Sequence, residues 1–281
     1  MSATIRAAVV RREDRDEVVE YLAQDPRGNL LLLDMAARVG RGGPPGELRA
    51  ELAVARRDAA IVGVAALRPS VALDAACHAE AIDAFLPFVE TLGVGLLKSG
   101  VRGVDALWDE LLRRAPRHPL LDRHETVFAV EPAAATLAPG RARPAVAGDL
   151  DPLVVAARES LREEGRPDPF DNDVRNFRRW VRGRLPRARV VEAGGRLVSV
   201  GYADVQRVDG WLLQGVYTWP EARGRGYASC AVSALCREAF EAGADHVQLA
   251  VVEGNAAGVR LYEKLGFQPF ARLRTILFSH A

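Results

Sequence analysis

Two short stretches hold residues whose types and spacing suit chemistry. In the first, Arg223, Gly224, Arg225 and Gly226 run into Tyr227, Ala228 and Ser229. The glycines reach backbone conformations closed to other residues and let the chain come close to a bound group, so several amides can converge on an anion, with the arginines adding charge. A pyrophosphate is the natural guest of such a loop when a helix starts behind it. The same glycines would also serve a tight turn with solvated arginines. The loop lacks the Lys-Ser/Thr of a P-loop and lies too late for a dinucleotide fingerprint. In the second stretch, Asn255 and Tyr262 stand close to two helical turns apart, so both can face one cleft. Each also has a structural role available, Asn255 as a helix cap and Tyr262 as a core residue.

The surrounding pattern supplies elements to hold these groups. Trp211–Trp219 is apolar and β-branched, and strict alternation would put Leu212, Gln214, Val216 and Thr218 on one face of a strand that Pro220 stops. Ala231, Val232, Leu235 and Ala239 follow at helical spacing, giving strand, glycine loop, helix. His246–Val252 reads as a buried strand, after which Asn255 opens a helix bearing Val259, Leu261, Tyr262 and Leu265 and ending at Gly266.

The chain has 281 residues, enough for two domains, and its 38 basic and 37 acidic residues give no reason to expect a polyanion partner. Cys77, Cys230 and Cys236 lack zinc or disulfide spacing, and the histidines lack metal-ligand spacing, so no metal is expected and a reducing, cytoplasmic setting is. Met1–Arg6 soon reach a charged run, and neither a secretory leader nor a membrane span is expected. Glu131–Pro144, rich in Pro and Ala, reads as an exposed connection. It divides the chain into domains at 1–131 and 141–281 with a linker at 132–140. The halves repeat one plan. Arg6, Ala8, Val9, Asp14 and Asp16 echo Arg143, Ala145, Val146, Asp149 and Asp151, and a hairpin turning at Arg57 and Asp58 echoes one turning at Gly194 and Gly195. The expected fold class is α/β (layered α+β), with two tandem domains, each a mixed, mostly antiparallel central sheet flanked by helices.

Residues 141–278 resemble the GCN5-related N-acetyltransferase superfamily. Its coenzyme motif is matched by Arg223, Gly226 and Ala228, and its later motif by Asn255, Leu261, Tyr262, Glu263, Lys264, Leu265, Gly266 and Phe267. The resemblance implies that acetyl-coenzyme A, or another acyl-coenzyme A, is co-substrate. Backbone groups of Val216, Tyr217 and Thr218 would then pair with the pantetheine arm, and Arg223, Gly224, Arg225, Gly226, Tyr227, Ala228 and Ser229 would hold the pyrophosphate. It further implies that Asn255 contacts the pantetheine, and that Tyr262 donates a proton to the departing thiolate during direct transfer to a small-molecule or peptide amine.

An alkyl amine is protonated at neutral pH, so a base must take its proton. Relatives place a glutamate on the strand before the glycine loop or on the one before the asparagine, where this chain has Leu212 and Ala250. Glu253 is the substitute candidate, and Gln214 could position a water. Glu253 reads equally as a solvated turn residue. Glu163, Glu164 and Asp168 lie where relatives build the acceptor wall and would suit a cationic amine, and they read equally as a charged surface loop. Two alternatives stand beside an active N-acyltransferase: a non-catalytic acyl-coenzyme A sensor or interaction protein, and a tandem synthase acylating a small thiol precursor. The stripe of Arg175, Arg178, Arg179 and Arg182 reads as a solvated helix face rather than a nucleic-acid surface. In the first half, Asp74–Ala79 has no glycine or arginine where the coenzyme loop should be, the helix around Asp105–Leu112 has no Asn/Tyr pair, and Pro87 interrupts a helix pattern. Residues 1–131 are therefore expected to be a degenerate domain that shapes the acceptor cleft or an oligomer interface, such as that of a homodimer.

Overall fold

The computed structural model describes residues 4–41, 50–170 and 172–280 and divides into two compact units. The first takes described residues 4–41, 50–126 and 271–280; the second takes the rest. The chain runs through β1 (Ile5–Val9), α1 (Arg15–Leu22), α2 (Leu30–Ala37), β2 (Glu51–Arg57), β3 (Ala60–Arg68), β4 (Ala72–Leu73), α3 (Ala79–Val89), β5 (Val94–Gly100), α4 (Val101–Arg114) and β6 (Arg117–Val130). It continues through β7 (Arg143–Pro144), α5 (Leu150–Glu163), α6 (Val174–Arg184), β8 (Ala188–Ala193), β9 (Arg196–Arg207), β10 (Gly210–Thr218), α7 (Tyr227–Glu241), β11 (Val247–Val252), α8 (Ala256–Lys264) and β12 (Gln268–His280).

In the first unit β1 to β4 form an antiparallel sheet in chain order. Pro87 lies inside α3 rather than breaking it. It sits in the last turns of that helix, where one missing backbone bond is outweighed by burial of Ile82, Phe85, Leu86 and Val89 in the core. A cut at 132–140 assigns the C-terminal strand to the second half, yet residues 271–280 cluster with the first unit. There β12 runs antiparallel to β5, from Leu273 opposite Gly100 to Ser279 opposite Val94. Alternation explains it, because Ile276 and Phe278 point into the first unit's core, where Phe278 packs on Trp108 at 5.6 Å between ring centroids.

In the second unit β7, β8, β9 and β10 are antiparallel neighbours, and β10 runs parallel to β11. Gly194 and Gly195, both at positive φ (59° and 73°), make the tight turn between β8 and β9. Behind the sheet α7 buries Val232, Leu235, Cys236 and Ala239, the i, i+3, i+4, i+7 stripe of a core-facing helix. The opposite side is covered by α5 and α6 through Leu153, Phe177 and Val181. The connection after β6 is less free than its composition implies. Thr136 N donates to Leu265 O (3.0 Å), Ala138 N to Ser233 Oγ (2.9 Å), and Arg237 to Ala138 O, while Leu137 packs on the α7 core. The repeat is visible in the backbone: Arg11 N bonds Asp14 Oδ2 at 2.9 Å and Val146 N bonds Asp149 Oδ2 at 2.8 Å, each just before the unit's first α-helix.

Candidate active site

The strand that leads to the glycine loop is bent by a bulge. Gln214 pairs with Tyr202 and Tyr217 with Val200, so β10 spends one more residue than β9 over this interval. Gly215 takes up the extra residue at φ +63°. The bulge overturns the strict alternation: Leu213 and Val216 both face the α7 core, whereas Tyr217 turns into the core under α5 and α6. On its other edge β10 pairs with β11 only at Trp211–Val247 and Leu212–Gln248. Beyond the bulge, Tyr217 and Thr218 pair with β9 alone among the described residues and Val216 lies in the bulge itself, leaving an edge of backbone groups towards β11.

After Thr218, Pro220–Ala222 form a short 3-10 turn and the chain enters the loop. Gly224 (φ +76°) and Gly226 (φ +82°) both occupy the left-handed region, and a Cβ at either would meet nothing within 4 Å. Both glycines are thus required by backbone conformation, and the space beside them is open. Cys230 N donates to Gly226 O at 3.1 Å, so the amides of Tyr227, Ala228 and Ser229 before it have no acceptor within α7. This arrangement fits an anionic phosphate group.

Arg223 departs from the expected open cation. Its Nη2 lies 2.6 Å and 2.8 Å from the two Glu163 carboxylate oxygens, and its Nε donates to Thr218 O at 3.0 Å. Arg225 is exposed and forms no ion pair among the described residues. The acidic wall is correspondingly neutralised: Glu163 by Arg223, Glu164 by Arg166 at 3.7 Å, and Asp168 by Arg158 at 3.8 Å. Asp168 also accepts from Phe170 N at 2.8 Å. Each of these carboxylates thus has an arginine beside it.

Asn255 caps α8, its Oδ1 accepting from Gly258 N at 2.9 Å, while its Nδ2 has no partner among the described residues. The cap and the proposed contact are compatible, since they use different atoms. Two turns on, Tyr262 is buried at 8% exposure in the α7 core, edge-on to Phe267 with ring centroids 5.7 Å apart. Burial first, and the neighbouring Cys236 second, push its phenol well above the usual value. Its hydroxyl makes no hydrogen bond among the described residues and stays neutral across the physiological range. Glu253 is exposed in the turn after β11, and Gln214 is exposed at the bulge. Leu212 is buried and Ala250 half-buried.

Arg184 escaped the sequence reading, as did the bulge. Gly215 within an apolar strand was the available signal for the latter. Arg184, one turn beyond the solvated arginine stripe, is buried and bonded to Asp204.

The Acetyltransferase (GNAT) family model matches residues 154–267. Solved structures share the fold along nearly the whole chain. A Drosophila protein superimposes with a TM-score of 0.70 at 13% identity, covering 98% of both chains. A GCN5-related N-acetyltransferase from Sphaerobacter thermophilus gives 0.61 at 16% identity, over 99% of this chain and 96% of that one. A tandem GNAT protein from the clavulanic acid biosynthesis pathway gives 0.55 at 14% identity, over 98% of both. No curated protein matches the sequence. Residues 154–267 thus form an acetyltransferase domain of the GNAT family, whose members take an acyl-coenzyme A as co-substrate.

Proposed function

We propose that the protein transfers an acyl group, acetyl in the simplest case, from acyl-coenzyme A directly to an amine. The observation that carries this reading is the junction of β10 and α7. A strand edge loses its parallel neighbour past the Gly215 bulge and leads into a loop whose two positive-φ glycines leave open space at a helix N-terminus. Backbone groups of Val216 to Thr218 would pair with the amide-bearing arm of the coenzyme. Residues 224–229 would take its pyrophosphate through their amides, with Arg225 adding charge and Arg223 orienting the loop through Thr218 O and Glu163. Asn255 would donate through Nδ2.

Tyr262 supplies the proton for the leaving thiolate. Its raised pKa keeps the phenol loaded with that proton, and the same burial raises the basicity of a thiolate formed beside it, so donor and acceptor shift together. Glu253, beyond the end of β11, is our candidate to receive the amine's proton through solvent. Incubation of the pure protein with acetyl-coenzyme A and a broad amine panel, following free thiol, tests the proposal. Absence of coenzyme binding in calorimetry would sink it. Leu212 and Ala250, where relatives hold a glutamate, favour a second reading, that of a non-catalytic acyl-coenzyme A sensor. Tight coenzyme binding with no thiol release on any amine would establish that one.

A further inference from the structure

We propose that Arg184 binds a carboxylate on the acyl acceptor, which makes the acceptor an amine of amino-acid type. The inference takes its reaction from the acyl-transfer reading above, but its binding site stands on separate geometry. Arg184, the last residue of α6, is 7% exposed. Asp204 takes one side of the guanidinium, with Nε donating to Oδ1 at 3.0 Å and Nη2 to Oδ2 at 2.7 Å. The ring of Tyr202 lies 3.9 Å from the guanidinium carbon and that of Trp180 lies 4.9 Å from it, so the plane of the fork is held by aromatic faces as well as by the carboxylate.

That bracing leaves the end of the fork unused. Nη1 has no hydrogen-bond partner among the described residues, and Nη2 has a second hydrogen beyond the one given to Asp204. The unused end borders the bulge: a Cβ on Gly215 would lie 3.3 Å from Nη2 and 3.6 Å from Nη1. Gly215 is exposed, and a Cβ there would also crowd the Tyr202 ring at 3.2 Å, so the two nitrogens lie against a bare stretch of backbone with no side chain over them. Two parallel N–H donors on a fixed plane match the two oxygens of a carboxylate. Asp204 neutralises one unit of charge, but Arg187 also reaches this corner, donating to Asp204 O at 3.0 Å, and the three groups together carry a net positive charge. This bare corner lies one residue before Val216, where the reading above begins the coenzyme's arm. An amine a few bonds from a carboxylate held there would stand beside the acyl group. The neutralised state of Glu163, Glu164 and Asp168 agrees with an acceptor that is not selected as a cation.

Calorimetry on the coenzyme A-loaded protein provides the test, with N-acetylglycine and N-acetylphenylalanine as product-like probes and their uncharged amides as controls. The acids should bind at least tenfold more tightly than the amides. Arg184→Gln should abolish that preference while leaving coenzyme A affinity within twofold. If Arg184→Gln does not fold, Arg184→Lys keeps the charge without the fork and should reduce the preference at least threefold. Acids and amides that bind alike, acids that do not bind, or a preference unchanged in the variant would overturn the proposal. Selective acid binding without thiol release from any amine would remove the reaction and leave the carboxylate site standing.

Discussion

Each unit contains a strand, a loop and a helix at matching places, and the two loops treat negative charge in opposite ways. In the second unit the loop before α7 has two positive-φ glycines, open space beside them and helix-start amides without internal acceptors. In the first, the loop between β4 and α3 carries its own anion. The Asp74 carboxylate is 4% exposed and accepts from Val64 N (2.7 Å), Ala76 N (3.0 Å) and the Tyr21 hydroxyl (3.4 Å). Asn29 Oδ1 accepts from Ala75 N at 2.8 Å. Burial and Asp74 together push the Cys77 thiol up to about 12, so that side chain adds no second anion. A loop that has lost its glycines and arginines is therefore not loose. An internal carboxylate takes the amides of Val64 on β3 and Ala76 in the loop, and so occupies this corner in place of an external anion.

The helices that follow these loops differ as well, and there the largest effect is expected. Tyr262 on α8 has no counterpart on α4, so Tyr262→Phe should lower kcat by about 100- to 10,000-fold while the KM for acetyl-coenzyme A changes little. With the phenol held above its ordinary value, the parent should show no alkaline decline in kcat from this group up to about pH 10, the unperturbed phenol pKa. Steady-state kinetics across pH checks both statements. A phenylalanine variant that turns over at the parental rate would reduce Tyr262 to a packing residue.

Gly226→Val forces a β-branched residue to φ +82° and puts bulk where phosphate would meet the amides, so the coenzyme dissociation constant should rise about 100-fold. Ala76→Val, at an exposed position of the first loop, should leave coenzyme affinity unchanged. Calorimetry on the two variants separates a binding loop from a merely structural one. Equal affinities for parent and Gly226→Val would mean that the glycines only shape a turn.

How far the sequence revealed these arrangements follows from the range of each signal. Strand, glycine loop and helix were readable at 211–239, because periodicity and glycine spacing are local. So were the paired hairpins and the Asp14 and Asp149 helix starts. The bulge was hidden because period-2 reading assumes an unbroken pleat, and one extra residue at Gly215 reverses every face after it. The pairing of Arg223 with Glu163 joins positions far apart in the chain, so charge type alone could not reveal it. The same holds for Arg184, which reads as one more basic residue on an arginine-rich helix until Asp204, Trp180 and Tyr202 close around it. The placement of β12 depends on which core its alternating face meets, and alternation by itself names no partner.

Removing the internal anion is the converse of opening the loop. Asp74→Ala strips acceptors from Val64 N and Ala76 N, and an unsatisfied buried donor costs about 1–3 kcal/mol. The first unit should melt several degrees lower, while coenzyme affinity stays at the parental value because the second unit's loop is untouched. A variant that bound coenzyme more tightly would show that Asp74 acts on the other loop as well.

The smallest effect is a change of slope with pH, and it asks whether Asp74 is held there as a favoured anion or against its preference. Burial is the largest influence on its carboxyl and raises its pKa; the amide bonds from Val64 and Ala76 and the Tyr21 hydroxyl pull the other way without cancelling it. Between the unfolded value, about 4, and the raised folded value, the unfolded chain has lost the proton that the folded chain keeps. Stability from this group is therefore complete below about pH 4 and is lost as pH rises through the folded pKa. Asp74→Asn has a similar shape and no titration, so its own cost is the same at every pH. Denaturant unfolding of parent and variant from pH 4 to 7 should show the parent's advantage shrinking as pH rises. An advantage that grows with pH would mean that the amides, rather than burial, dominate, and that the first loop is built to prefer a negative charge as strongly as the second.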